Sequence, residues 1–185
     1  MTGPADAHGP HRDSIPAPRA LAAAPRLRPV TAQDRALIED FVLDDPAYTR
    51  TSFDQLPSIR DVDAILDGGP GNAGSGAHQV LGAFSEDGVL LGVAQAVHRW
   101  PSTVSCYLGL LQVRPAHRGR GLGATLLAAT EDTARARGCR QMLLSVIARN
   151  HSGRAFWHHH GFLLLHPQAA RAAAPLSPLL MHKSL

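Results

Sequence analysis

The sequence predicts an α/β fold built on a mixed, mostly antiparallel central sheet flanked by helices, and three observations predict it. Apolar, strand-length runs at residues 78–85, 89–100 and 106–113 follow one another with only turn residues between them. Glu86-Asp87-Gly88 fills the first gap and Pro101-Ser102-Thr103 the second, so the three runs read as an antiparallel meander. The third run passes through several glycines into a segment of helical composition, residues 123–137, which stops at Gly138. A further apolar strand at 141–148 comes straight after that helix, which makes it a parallel neighbour of the strand before the helix.

The remaining elements follow from local signals. Leu27-Arg28-Pro29-Val30 has the look of a short first strand, and Thr31 is suited to cap a helix over 32–43. A second helix is expected at 58–66, ending at the glycine-rich stretch 68–76, whose composition is that of a flexible loop. After the 141–148 strand, residues 152–160 read as a helix in which Ser152 is a candidate cap, followed by a strand at 162–165. A Pro- and Ala-rich connection then leads to a last strand at 179–182.

With 185 residues and 44% hydrophobic content, the chain has enough material for one sizeable core. The expected organisation is a disordered tail over 1–25, rich in Ala, Pro and His, and one domain over 26–185. The apolar run Ala20-Leu21-Ala22-Ala23-Ala24 is too short for the core of a signal peptide. No apolar run approaches the roughly 18 residues of a membrane span, so a soluble, cytoplasmic protein without a membrane partner is expected. Cys106 and Cys139 are too far apart for a close metal-ligand or redox pair and read as reduced, buried structural residues.

The net charge is +3 and the pI near 9.4, yet the arginines form no basic run, and no nucleic-acid partner is expected. Charge is instead segregated along the chain. Asp34, Glu39, Asp40, Asp44, Asp45, Asp54, Asp61, Asp63 and Asp67 face only Arg35, Arg50 and Arg60 in the first half. Between residues 114 and 154 eight arginines face only Glu131 and Asp132. A basic half suits an anionic cofactor, while the earlier half is acidic and attracts cations.

The stretch Gln112-Val113-Arg114-Pro115-Ala116-His117-Arg118-Gly119-Arg120-Gly121-Leu122-Gly123 has the architecture of a phosphate cradle. Its glycines permit close approach of the backbone, the free amides of the following helix point at the same place, and the helix dipole favours an anion there. Arg118 and Arg120 add cations beside it. Gly119-x-Gly121-x-x-Ala124 also satisfies a dinucleotide-binding fingerprint, but no Asp or Glu follows Asp132 to hold a ribose, and an antiparallel meander is wrong for a doubly wound sheet. The Gly-Lys-Ser/Thr ending of a nucleoside triphosphatase loop is missing, and the chain's one lysine is Lys183. In His158-His159-His160 successive rings point about 100° apart around a helix, so they do not converge on one ion and no metal is expected.

Arg118-x-x-Gly121-x-Gly123, together with Asn150 and the later Ala155-Phe156-Trp157-x-x-x-Gly161-Phe162, resembles the GCN5-related N-acetyltransferase (GNAT) superfamily. The resemblance runs from about Leu27 to the C-terminus and is strongest from Tyr107 to Phe162. It implies a GNAT-like acyl-CoA N-acyltransferase fold in which the cradle strand and the next strand splay apart around the pantetheine arm. It implies transfer of an acetyl group from acetyl-CoA, as co-substrate, to a small-molecule or peptide amine. It implies cofactor contacts at Leu111, Gln112, Val113, Arg118, Gly119, Arg120, Gly121, Leu122, Gly123, Asn150 and Trp157. A non-catalytic acyl-CoA-binding sensor or regulatory module is the alternative, and a monomer or homodimer is expected.

Gly109, inside an apolar strand, marks a bulge or a close backbone approach, and an amide freed there would suit the thioester carbonyl. Acyl transfer also needs a proton acceptor for the amine, for which Tyr107 and His98 are the candidates, directly or through a water. Trp157 stands where the family often has an acidic tyrosine. Its indole donates but is no usable acid, so it either packs on the cofactor arm or is plain core.

Overall fold

The computed structural model describes residues 24–70, 73–74, 76–168 and 173–185, the side chains of residues 52 and 53 excepted. Apart from its last two residues, the expected tail over 1–25 lies outside them, as do positions 71, 72 and 75 of the glycine-rich loop. The strands are β1 (Arg26–Pro29), β2 (His78–Phe84), β3 (Leu90–His98), β4 (Ser105–Val113), β5 (Gln141–Ile147), β6 (Leu163–Leu164) and β7 (Pro178–Ser184). They form one sheet in the order β1-β2-β3-β4-β5-β7-β6. Every neighbouring pair is antiparallel except β4 and β5, which are parallel and joined by a helix. The mixed, mostly antiparallel sheet expected from the sequence is therefore observed.

The helices are α1 (Arg35–Leu43), α2 (Pro46–Phe53), α3 (Ile59–Leu66), α4 (Leu122–Ala136) and α5 (His151–His159). Two apolar layers sandwich the sheet. On one face Ile38, Phe41 and Val42 of α1 and Val62, Ile65 and Leu66 of α3 pack on Val80, Val93 and Leu90. On the other, Leu122, Leu126 and Leu127 of α4 and Trp157 of α5 pack on Leu91, Ala94, Leu108, Leu144 and Met181. Because both faces are covered, all nine residues of β3 are buried, which is why that strand reads as a continuous apolar run instead of an alternating one.

The expected helices start within one to three residues of the sequence reading, and one helix was not expected. The expected 32–43 helix begins as a 3-10 turn over Ala32–Asp34, and the α-helix proper starts at Arg35. The helix expected from 152 starts at His151, and its cap is Asn150, whose Oδ1 accepts from the Gly153 amide at 2.9 Å. Ser152 only donates its hydroxyl to Asn150, at 3.2 Å. Helix α2 is not among the helices expected from the sequence, although Asp45-Pro46 carries a signal for it. Asp45 caps the helix by accepting from the Tyr48 amide at 3.2 Å, and Pro46 occupies the first helical position, where its missing N–H costs nothing.

The charge segregation resolves into contacts between the halves. Arg114, at the end of β4, pairs with Asp40 and Asp44 of the α1 end. Arg118 pairs with Asp45, and Arg149 pairs with Asp54 at 3.3 Å. Arg149 also donates Nε to the Thr51 carbonyl at 2.8 Å and Nη2 to the Arg50 carbonyl at 2.6 Å, capping the C-terminal end of α2. The acidic helices thus dock on the arginines of the cradle half.

Phe162, fully buried, closes the turn after α5 with its ring centroid 5.4 Å from that of Trp157. Phe162→Ala is expected to cost about 3–5 kcal/mol in urea unfolding, the usual cost of emptying so large a site.

Candidate active site

The site begins where a ladder ends. β4 and β5 are paired from Ser105↔Gln141 to Leu108↔Leu144 and no further. Beyond that point β5 stays with β7 as far as Ile147↔Pro178, while β4 stays with β3 as far as Val113↔Gly92. The two strands part, and the edge of β4 from Gly109 to Val113 is left without a strand partner on that side among the described residues. A bulge accompanies the parting: Leu110 pairs with Gln95 and Leu108 with Ala96, so Gly109 is an extra residue. A Cβ at position 109 would lie 2.9 Å from Gln95 Oε1. Gln95 cannot easily retreat, because its Nε2 donates to the Ala64 and Gly68 carbonyls, both at 2.7 Å. Glycine is thus required there by the packing behind it.

On the α4 side of the gap lies the cradle. Pro115–His117 makes one 3-10 turn, and the backbone then passes through the left-handed region at Gly119 (φ 71°) and Gly121 (φ 84°) into α4. A Cβ at either glycine would meet nothing within 4 Å, so both border open space. Gly121 is the N-cap and offers no side chain to the helix amides; the first helical bond is from the Thr125 amide to the Gly121 carbonyl at 3.0 Å. An open, uncapped helix start with the positive end of a dipole beneath it fits an anionic group such as the pyrophosphate of coenzyme A. Gly123 has another role: its Cβ would come 3.3 Å from the Phe156 ring, so it sets the approach of α4 to α5. Arg118 is not a mobile cation, since its Nε donates to the Val113 carbonyl at 3.0 Å and its other end pairs with Asp45.

On the opposite face of the sheet, between α1, α2, α3 and the bulge, is an open cavity of about 220 Å³. Its walls are apolar at Val42, Ile65 and Leu110 and polar at Tyr48, Gln112 and Asp61, and its floor includes Gln95 and Gly109. Asp61, which also closes the capping box of α3 with Ser58, is the one carboxylate of that lining among the described residues. The freed stretch of β4 therefore leads at its end into the cradle loop, and its Gly109, Leu110 and Gln112 line the cavity.

The model of the acetyltransferase (GNAT) family matches residues 35–162, more than half of the chain. The chain belongs to this family. Over 68 residues it is 48% identical to the mycothiol acetyltransferase of Kineococcus radiotolerans, a match spanning 37% of this chain and 22% of that protein. Among solved structures it resembles an acetyltransferase from Thermus thermophilus at TM-score 0.72 and 23% identity, covering 88% of this chain and 98% of that one. It also resembles the PaiA N-acetyltransferase from Thermoplasma acidophilum, determined in complex with coenzyme A, at TM-score 0.64 and 19% identity, covering 88% and 100%. At these identities the two structures show a common fold.

Within this GNAT fold the two candidate bases fall on opposite faces. Tyr107 pairs with Val97 and His98 pairs with Cys106, so by strand alternation Tyr107 faces the α1–α3 side and His98 the α4 side. His98 is 1% exposed; its Nε2 lies 2.6 Å from Gln79 Oε1 and its Nδ1 3.5 Å from Cys106 Sγ. A ring so enclosed is a core histidine, and the structure does not bring it to the cavity. Tyr107 is half-buried at the root of the gap, edge-on to Trp100 at 5.3 Å, and shares a hydrogen bond with Ser145 across the two strands. Burial raises its pKa above the ordinary phenol value of 10.0.

The other expected residues are placed as follows. Trp157 is 9% exposed between Phe156 and Phe162, centroids 4.9 and 5.4 Å away, which is plain core packing. Asn150 spends its side-chain oxygen on the α5 cap. Leu111 is partly buried against the α4 layer and Val113 is fully in it, so what these two offer the gap is main chain. Gln112 is buried and donates Nε2 to Asp45 at 3.2 Å, a side-chain role that no local sequence signal announces. His158 and His159 are exposed on the last turn of α5, and His160 lies against the Phe156 ring at 4.3 Å. Cys106 and Cys139 are buried and free, and burial pushes the Cys106 thiol up to about 12.

Gly121→Val should weaken coenzyme A binding about thirty- to a hundredfold in calorimetry, because φ 84° strains a branched side chain that would also fill the cradle. Gly123→Val should act through the Phe156 contact and lower stability as well. For His98, burial and then the Arg137 charge lower the pKa from 6.5 to about 4. The unfolded chain then takes the proton first, so stability is full above pH 6.5 and falls as pH drops toward 4. The loss should reach about 3 kcal/mol, and His98→Gln should flatten that part of the urea-midpoint profile.

Proposed function

We propose that the protein transfers an acetyl group from acetyl-CoA to a primary amine by direct attack of the amine on the thioester. The observation that carries this reading is the opening of the β4–β5 ladder at Gly109, with the anion cradle at the end of the freed stretch of β4 and the amine-sized cavity over its bulge. Acetyl-CoA supplies an activated carbonyl and a sulfur leaving group. The amides of residues 119–123 hold its pyrophosphate, and the unpaired main chain of Leu111, Gln112 and Val113 offers the pantetheine arm a strand edge. An amide at the bulge donates to the carbonyl oxygen as charge builds there.

In the chemical step the new C–N bond forms as the C–S bond breaks, the nitrogen loses one proton and the sulfur gains one. Tyr107 is suited to the second transfer and not to the first. Its raised pKa keeps the phenol protonated at neutral pH, so it donates to the departing sulfur, a role that the indole of Trp157 cannot fill. For the first, the Asp61 carboxylate in the cavity wall can take the proton of the attacking neutral nitrogen through water, once the amine has given up its ammonium proton to solvent, and the same carboxylate attracts an acceptor that carries a further positive charge. The other acids of the first half do not share that work, since Asp34, Glu39, Asp40, Asp44, Asp45, Asp54 and Asp63 are paired with arginines and Asp67 does not line the cavity. Any preference for cationic acceptors therefore rests on Asp61 and should amount to about 1 kcal/mol, fading as salt rises.

The test is release of coenzyme A thiol from acetyl-CoA across a panel of amines, with the protein's own buried cysteines contributing no fast background. Turnover with at least one amine is expected; coenzyme A binding without any turnover would make the protein a binding module. Tyr107→Phe should lower kcat about ten- to a hundredfold with coenzyme A affinity intact. Trp157→Phe should keep most of kcat, and Trp157→Ala should cost mainly stability. A Tyr107→Phe enzyme as fast as the wild type would remove the acid role.

A further inference from the structure

The strongest feature that catalysis does not use is the carboxylate of Asp45, 2% exposed and, in the sequence, one acid among nine. Its two oxygens serve different parts of the molecule. Oδ1 accepts from the Tyr48 amide and starts α2. Oδ2 accepts from Gln112 on β4 at 3.2 Å and pairs with Arg118 of the cradle loop. Arg118 is 48% exposed at its side chain and Asp45 only 3%, so the carboxylate lies behind the arginine and out of a ligand's reach. Whatever Asp45 does for a ligand in the cradle, it does through Arg118.

What hangs on Asp45 is one wall of the cavity. Tyr48 and Thr49, in the first turn of α2, line it together with Gln112. The far end of α2 is tied to the other arm of the gap, because Arg149 beyond β5 holds the Arg50 and Thr51 carbonyls. Helix α2 therefore spans the two arms, anchored at its start to the cradle loop and at its end to β5. A ligand that fixes the loop fixes Arg118, and with it the start of α2.

We propose that Asp45 is a positioning residue through which filling of the cradle orders α2 and the acceptor wall, so that acetyl-CoA and the amine bind with positive coupling. The proposal rests on the cradle being the coenzyme A site. Coupling is reciprocal, so an amine that orders α2 would in turn tighten the cradle. A buried charge with three donors holds one geometry closely, since losing any partner leaves it unsatisfied in the interior.

The test needs no known acceptor. Hydrogen exchange of the α2 amides is followed in the full chain with and without saturating coenzyme A, with affinity measured by calorimetry. In the wild type, coenzyme A should slow α2 exchange about tenfold, as well as exchange at the first turn of α4. In Asp45→Asn, which keeps the shape and removes the charge, the α4 effect should remain and the α2 effect should fall to less than about threefold. Arg118→Gln removes the charge from the half-exposed side of the same pair and must give the same loss, with the urea midpoint measured alongside to show that the variant is folded. Equal slowing of α2 in wild type and Arg118→Gln at saturation would overturn the coupling. So would coenzyme A binding to the wild type with α2 unaffected, which leaves the cradle reading intact. Absence of coenzyme A binding to the wild type would instead overturn the cradle reading and the coupling with it.

Discussion

Two parallel strands in the middle of a sheet ordinarily keep their hydrogen bonds to the end, because each amide or carbonyl left unpaired in the interior costs about 1–3 kcal/mol. β4 and β5 give theirs up after Leu108 and Leu144. The molecule tolerates this because the bulge at Gly109 turns β4 and because Gln95, fixed to the α3 end by two carbonyls, packs into the room that a side chain at 109 would need. The freed edge is what a pantetheine arm can pair with, so the structural cost and the binding capacity are one feature. The cradle comes directly after the same strand, and the cavity lies over the same bulge. Both are positioned by a single departure from regular pairing.

The same constraint decides which side chains can take part in chemistry. Side chains alternate along β4, so Tyr107 and Cys106 belong to different worlds although they are neighbours. Tyr107 shares the cavity face with Gln95, Leu110 and Gln112. Cys106 shares the α4 face with His98, which is walled in at 1% exposure. Sequence shows two plausible proton carriers on adjacent strands and cannot show that they face opposite ways, because that depends on the β3–β4 register and on the residue inserted by the bulge. Once the register is known, burial completes the argument: it makes His98 a weak base enclosed away from the cavity, and it keeps the Tyr107 phenol protonated.

Much of the fold was legible from local chemistry. The meander, the parallel crossover, the glycine loop and the stop at Gly138 each rest on residues whose conformational limits are severe, and Gly121 and Gly138 do take positive φ. What stayed hidden was α2. The segment has little apolar periodicity, and its two signals, Asp45 as cap and Pro46 after it, are submerged in a run of acids that reads as net charge. The roles of Gln112 and Asp45 were hidden for a related reason: they meet across 67 positions of chain, and nothing local to either announces the other. The surroundings of Trp157 are not readable from sequence because they turn on the rotation of α5, which the contacts of Phe156 with Gly123 and of Trp157 with Phe162 fix.

Charge segregation along a chain is commonly read as a surface field, and here it is a docking code. Nine acids in one half and eight arginines in the other would repel within each half and offer two strongly charged faces if they stayed apart. In the folded protein Arg114, Arg118 and Arg149 take up Asp40, Asp44, Asp45 and Asp54. Most of these pairs are half-exposed and contribute little to stability one by one. Their effect is on geometry, since they place α1 and α2 against β4, the cradle loop and β5. The buried member, Asp45, differs in kind. An exposed pair can break and be replaced by water at small cost, whereas a carboxylate at 2% exposure cannot. Among these contacts it is therefore Asp45 with Arg118 that fixes the loop relative to the helix, and the others bring the two surfaces within its reach.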